Sequence, residues 1–192
     1  MRLYDYAASG NCYKVRLLLA QLGIPYERVP VLVPDEGPPL AESNAILLHL
    51  AEGTGLLPAD PADRAQAYRW LLFEQADVIP AIAGLRFRLL TGRLEPDDPR
   101  ARARRADGEE VLRLLDRHLA EREFLVDGRY SVADIALYAY VHVAPDAGYA
   151  LPAAVESWTG RVEAQPGFVD DLEPYPANAR PGASRSIYDP RA

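Results

Sequence analysis

Residues 24–47, IPYERVPVLVPDEGPPLAESNAIL, constrain this chain more than any other stretch. Val31-Leu32-Val33 is β-branched and apolar, hence strand-like. Residues 34–39 are rich in Pro, Asp and Gly and support a hairpin turn. Ser43 is placed to cap a helix reaching Glu52, with Ile46, Leu47 and Leu50 turned inward. Ahead of all this, Pro30 alone separates Val29 from Val31. Parallel strands joined by a crossover need a connection of about a dozen residues or more. A strand ending at Val29 therefore has no room for a crossover before the next one begins.

The flanking pattern is simpler. Residues 2–6 make a short first strand, and residues 7–11 a loop of small residues. A helix follows from Asn11, with Val15, Leu18, Leu19 and Leu22 at i, i+3, i+4 and i+7. Gly23 is placed to end it, and Pro25 prevents its continuation. Residues 53–60 read as a linker. Asp60-Pro61 then pairs a capping Asp with Pro at the first helical position. One long helical pattern covers residues 64–90, with a kink or break expected at Pro80. Asp98-Pro99 opens another helix, to about Glu121. Ser131-Val132-Ala133-Asp134 resembles a capping box ahead of an apolar helix. Residues 152–164 are a last helix, and 170–192 an extended tail that wraps the surface or is disordered. The organisation expected is a small unit over 1–53, a linker over 54–60, a helical domain over 61–169 and the tail.

With 49% hydrophobic and 26% charged residues, the chain can bury a real core. Its net charge of −7 disfavours nucleic acid and anionic membranes as partners, because both call for a basic face. No segment approaches the roughly 20 apolar residues of a membrane span. The first residues enter a strand at once, so no secretory signal is expected. The single cysteine, Cys12, fits a reducing cytoplasm. His49, His118 and His142 are too scattered to suggest a metal site.

Four local patterns, in this order, resemble the soluble glutathione transferase superfamily over nearly the whole chain. They are Ser9-Gly10-Asn11-Cys12-Tyr13-Lys14-Val15-Arg16, Val29-Pro30, Glu42-Ser43-Asn44-Ala45-Ile46-Leu47, and the capping segment at Ser131. The resemblance is to Ser-type, bacterial-like members. It implies an α+β, mostly α architecture: a thioredoxin-like N-terminal domain followed by an all-helical C-terminal domain. It also implies glutathione as co-substrate with no metal, a small electrophilic substrate and a homodimer formed through the helical domain.

The resemblance assigns roles to particular residues. The serine matching Ser9 hydrogen-bonds the glutathione sulfur in Ser-type members. A thiol of pKa about 8.5 is mostly protonated at neutral pH. A bond to the charged form is worth about 1.5–3 kcal/mol and a helix N-terminus about 0.3–1 more. Together these lower the pKa by roughly one to three units. Ser9 or Asn11 also reads as a plain helix cap. Glu42-Ser43 matches the pair that holds the γ-glutamyl end: the serine at a helix N-terminus takes the carboxylate, and the acid takes the ammonium. It reads equally as a cap with an acidic neighbour. Val29 matches the residue whose backbone pairs with the cysteinyl part, and Pro30 the cis-proline after it. Asn11 joins the glutathione-binding set. Tyr6 is assigned to the substrate pocket; Tyr4, Phe87, Tyr138 and Tyr140 are further aromatics that suit such a pocket or the core. Cys12 reads as a packing cysteine.

In the superfamily an entire helix lies where Pro30 stands here, and the sheet order is 2-1-3-4. A single residue cannot bridge that crossover. Three outcomes are open: loss of the second strand, with residues 25–28 as a connector; one continuous strand in a rearranged sheet; or completion by a second chain. The missing helix and its loop supply the groups that hold the glycine carboxylate of glutathione, so weakened binding is expected. The alternative function is a non-catalytic module that keeps the fold for dimerisation or partner binding.

Overall fold

The computed structural model describes residues 2–3, 5–28, 38–176 and 179. Val29, Pro30, the third strand expected at 31–33 and the turn at Asp35-Glu36-Gly37 lie outside them, as do Tyr4 and the tail over 180–192. The chain opens with β1 (Arg2–Leu3), α1 (Gly10–Gln21) and β2 (Glu27–Arg28). The strands pair in parallel, Arg2 opposite Glu27 and Leu3 opposite Arg28. The second strand is therefore present, which corrects the first of the three outcomes: residues 27–28 are a paired strand rather than a connector. Helix α1 supplies the long connection that a parallel pair requires. It stops where Gly23 adopts φ +65°, a conformation that L side chains resist.

Helix α1 is buried nearly all round, with Tyr13, Val15, Leu17, Leu18 and Leu19 all at 1% exposure or less. Its two charged residues, Lys14 and Arg16, are buried as well, each with an acidic partner. The helix packs against α2 (Ser43–Ala51) on one side and against α6 (Val132–Val141) of the helical domain on the other.

The helical domain comprises α3 (Pro61–Phe73), a π-helical segment Glu74–Ala83, α4 (Gly84–Leu90), α5 (Pro99–Leu119), α6, and α7 (Ala153–Glu163). Asp60 caps α3 by accepting from Ala62 N and Asp63 N, and Asp98 caps α5 by accepting from Arg100 N. At Pro80, where a kink or break is expected, the helix is disturbed without ending. Pro80 lies inside the π-helical segment, where Gly84 N reaches back five residues to Ile79 O. Proline lacks an N–H and crowds the carbonyl four residues back; a wider turn accommodates both.

Every residue of α6 is buried. Its start is the anticipated capping box: Ser131 Oγ accepts from Ala133 N, and Asp134 accepts from Ser131 N. Asp134 also accepts from Leu125 N at 3.0 Å and Trp158 Nε1 at 2.9 Å, so one carboxylate ties α6, α7 and the preceding loop together. Beyond α7 the chain runs back over α1. Tyr13 donates to Val169 O, Glu173 N donates to Ala7 O, and Arg16 holds both Asp5 and Asp171. Residues 168–176 therefore wrap the surface as an ordered strap.

Candidate functional site

The site forms where the N-termini of α1 and α2 meet. Ser9 is the cap of α1. Its Oγ accepts from Cys12 N at 3.4 Å and its carbonyl from Tyr13 N at 2.8 Å. The cap uses an oxygen lone pair and leaves the hydroxyl proton for another acceptor. Capping and thiolate binding are therefore compatible at Ser9. The loop before it is held by Tyr6, whose carbonyl accepts from Ser9 N and whose N–H donates to Cys12 Sγ at 3.4 Å. Cys12 is half-buried and packed under the loop.

Ser43 is not the cap that the sequence suggests. It is the first residue of α2, and Glu42 occupies the cap position with φ 68° and ψ 111°. No side chain caps this helix, so its leading N–H groups remain available to an anion. An L-residue at such a φ carries about 1–3 kcal/mol of strain, and strain of this kind clusters at functional sites. The Glu42 side chain is exposed. Ser43 Oγ donates to Asn11 Oδ1 at 3.0 Å, bridging the two helix starts. Ser9, Asn11, Glu42 and Ser43 are thus gathered by two neighbouring helix N-termini, each with the positive end of its dipole outward.

The aromatics divide. Tyr138 and Tyr140 are core, with burial pushing both phenols well above their ordinary pKa. Tyr140 packs so tightly on Gly10 that a Cβ there would fall 2.4 Å from its Cε1, so glycine is required beside Ser9. Phe87 is half-buried and meets Tyr175 of the strap edge-to-face at 5.2 Å. Among the described residues no cluster of three or more His, Cys, Asp or Glu is arranged to hold a metal.

Sequence reasoning missed the polar cluster behind the site. Lys14 and Glu74, both 0% exposed, pair at 2.9 Å. Lys14 Nζ also donates to Asn44 Oδ1 at 2.7 Å, and Asn44 Nδ2 donates to Glu74 Oε2 at 2.9 Å. The available signal was that Lys14 is the chain's only lysine and sits in a helix between the apolar residues Tyr13 and Val15.

The glutathione S-transferase C-terminal domain family matches residues 70–166. A glutathione S-transferase structure from Pseudomonas fluorescens is 36% identical with a TM-score of 0.84; the match covers 90% of this chain and 98% of that one. A glutathione transferase from Pseudomonas putida, with one glutathione disulfide bound per subunit, is 27% identical with a TM-score of 0.76, covering 86% and 87% of the two chains. Elongation factor 1-gamma of Artemia salina is 31% identical over 128 residues. That match takes in 64% of this chain but only 29% of the factor's own length.

Proposed function

This chain belongs to the glutathione S-transferase superfamily, and from that membership we propose that it activates the thiol of glutathione for attack on a small electrophile. The thiol proton passes to solvent, and Ser9 stabilises the thiolate left behind by donating a hydrogen bond from its hydroxyl to the sulfur. The leading N–H groups of α2 and the Ser43 hydroxyl take the γ-glutamyl carboxylate, while Glu42 takes the ammonium. Asn11 fixes Ser43. Val29 and Pro30 hold the cysteinyl backbone, and Tyr6 lies on the electrophile's side. The sulfur attacks and the leaving group departs with its electron pair; isomerisation and dehalogenation use the same thiolate. The observation that carries this reading is the Ser43–Asn11 bridge at 3.0 Å, which brings two helix starts to one place beside the Ser9 hydroxyl.

The domain division at 53 and 61, a homodimer through the helical domain and α2, and a cytoplasmic location complete the proposal. No helix among the described residues is long and apolar enough to cross a membrane. A second reading, a non-catalytic partner-binding module, draws on the likeness to elongation factor 1-gamma.

The pH dependence of kcat/KM for a generic aryl halide separates the two readings. In Ser9→Ala the thiol pKa should rise by about one to three units, with turnover at pH 7 falling accordingly. An unchanged profile reduces Ser9 to a cap, and absence of any glutathione-dependent turnover by the native chain favours the module.

A further inference from the structure

Lys14 is expensive where it stands. Its ammonium is fully buried one turn inside α1, and burying an ion costs several kcal/mol unless it is paired. Pairing with Glu74 offsets that cost, yet an apolar pair of similar volume generally does as well or better. Fold stability alone therefore does not explain the cluster, and its polarity suggests what does. The Glu74 carboxylate is held by three donors, accepting Lys14 on Oε1 and both Asn44 Nδ2 and Gln75 Nε2 on Oε2. Lys14 also reaches toward the site through Asn44, the second residue of α2. Burial lowers its pKa from the ordinary value. Glu74 opposes that shift, and so do Glu42 and Cys12, the two groups beside the helix starts. Asn44 is also anchored to Leu71 O at 3.1 Å, so the start of α2 is held by the helical domain.

Building on the transferase reading, we infer that Lys14, with Asn44 and Glu74, is a positioning residue. It fixes the N-terminus of α2 from behind and adds a positive charge beneath the seat of the γ-glutamyl carboxylate. Acting through Asn44 and the helix start, it makes binding at one domain depend on docking against the other.

The test removes the charges while keeping the packing. Lys14→Met/Glu74→Leu should fold and melt somewhat below the native protein: the buried pair is replaced as a unit, but Asn44 Oδ1 loses its donor. Calorimetry should then show glutathione binding weakened about tenfold, the scale of one partly buried charge interaction. Glutathione with its γ-glutamyl carboxylate amidated should bind the native protein more weakly than glutathione does, and that gap should shrink in the double variant. If the double variant does not fold, Lys14→Gln/Glu74→Gln retains hydrogen-bonding groups and gives the same comparison. A folded charge-free variant with native affinity and an undiminished gap makes the cluster merely structural and overturns the inference. Failure of the native chain to bind glutathione at all overturns the transferase reading, and this inference with it.

Discussion

The two parts of the molecule solve the same problem with different means. In the helical domain the helices are stopped and started locally: Asp60, Asp98 and Ser131 cap α3, α5 and α6, and Asp134 gathers three segments on one buried carboxylate. In the N-terminal unit the described sheet is two paired residues long on each strand. Here Ser9 caps α1 and no side chain caps α2, and both helices are held from outside as well, by Lys14 to Glu74 and Asn44 and by Arg16 to Asp171 of the strap. The site lies in the second part but is supported by the first. The proposed thiol and γ-glutamyl contacts therefore rest on helix starts braced by the helical domain.

The contrast breaks most sharply at Asp134. Asp134→Ala leaves Leu125 N, Ser131 N and Trp158 Nε1 without their acceptor. Each unsatisfied buried donor costs about 1–3 kcal/mol, so urea unfolding should show a loss of roughly 3 kcal/mol or more. A loss below about 1 kcal/mol would mean that α6 does not depend on this carboxylate.

Glu42 should give a smaller effect of opposite sign. Glycine adopts φ 68° without strain, so Glu42→Gly should raise stability by about 1 kcal/mol while weakening glutathione binding. If stability and affinity rise together, the Glu42 backbone is not strained for binding.

The smallest effect belongs to pH. Burial holds His142 below its ordinary pKa of 6.5, its ring stacked on Tyr138 at 4.5 Å. The neutral form is favoured in the fold, so this stabilisation is complete above pH 6.5 and is lost as pH falls through the lowered value. His142→Gln should flatten the melting temperature across that interval, and an unchanged slope would assign the acid sensitivity elsewhere.

Much of the helical domain was legible because its signals are local. Asp-Pro at 60–61 and 98–99 and the Ser131–Asp134 box act within one turn of themselves. Ser9, at the end of a small-residue loop, was legible for the same reason. The cap of α2 was not, since placing Glu42 at positive φ requires the surrounding structure to impose it. Pro80 was read correctly as a disturbance but not as a π-helical widening, because both relieve the same clash. Lys14 and Glu74 lie 60 residues apart in sequence, and a buried charge cannot name its distant partner.

We propose, from the single residue that separates Val29 and Val31, that the chain grips glutathione by its γ-glutamyl end and thiol but not by its glycine end. Calorimetry with glutathione and with γ-glutamylcysteine, which lacks the glycine, tests it most directly. The account predicts dissociation constants within about twofold of each other, under ~0.5 kcal/mol apart. Binding of γ-glutamylcysteine weaker by tenfold or more, the effect of losing a charge-assisted contact, would contradict it.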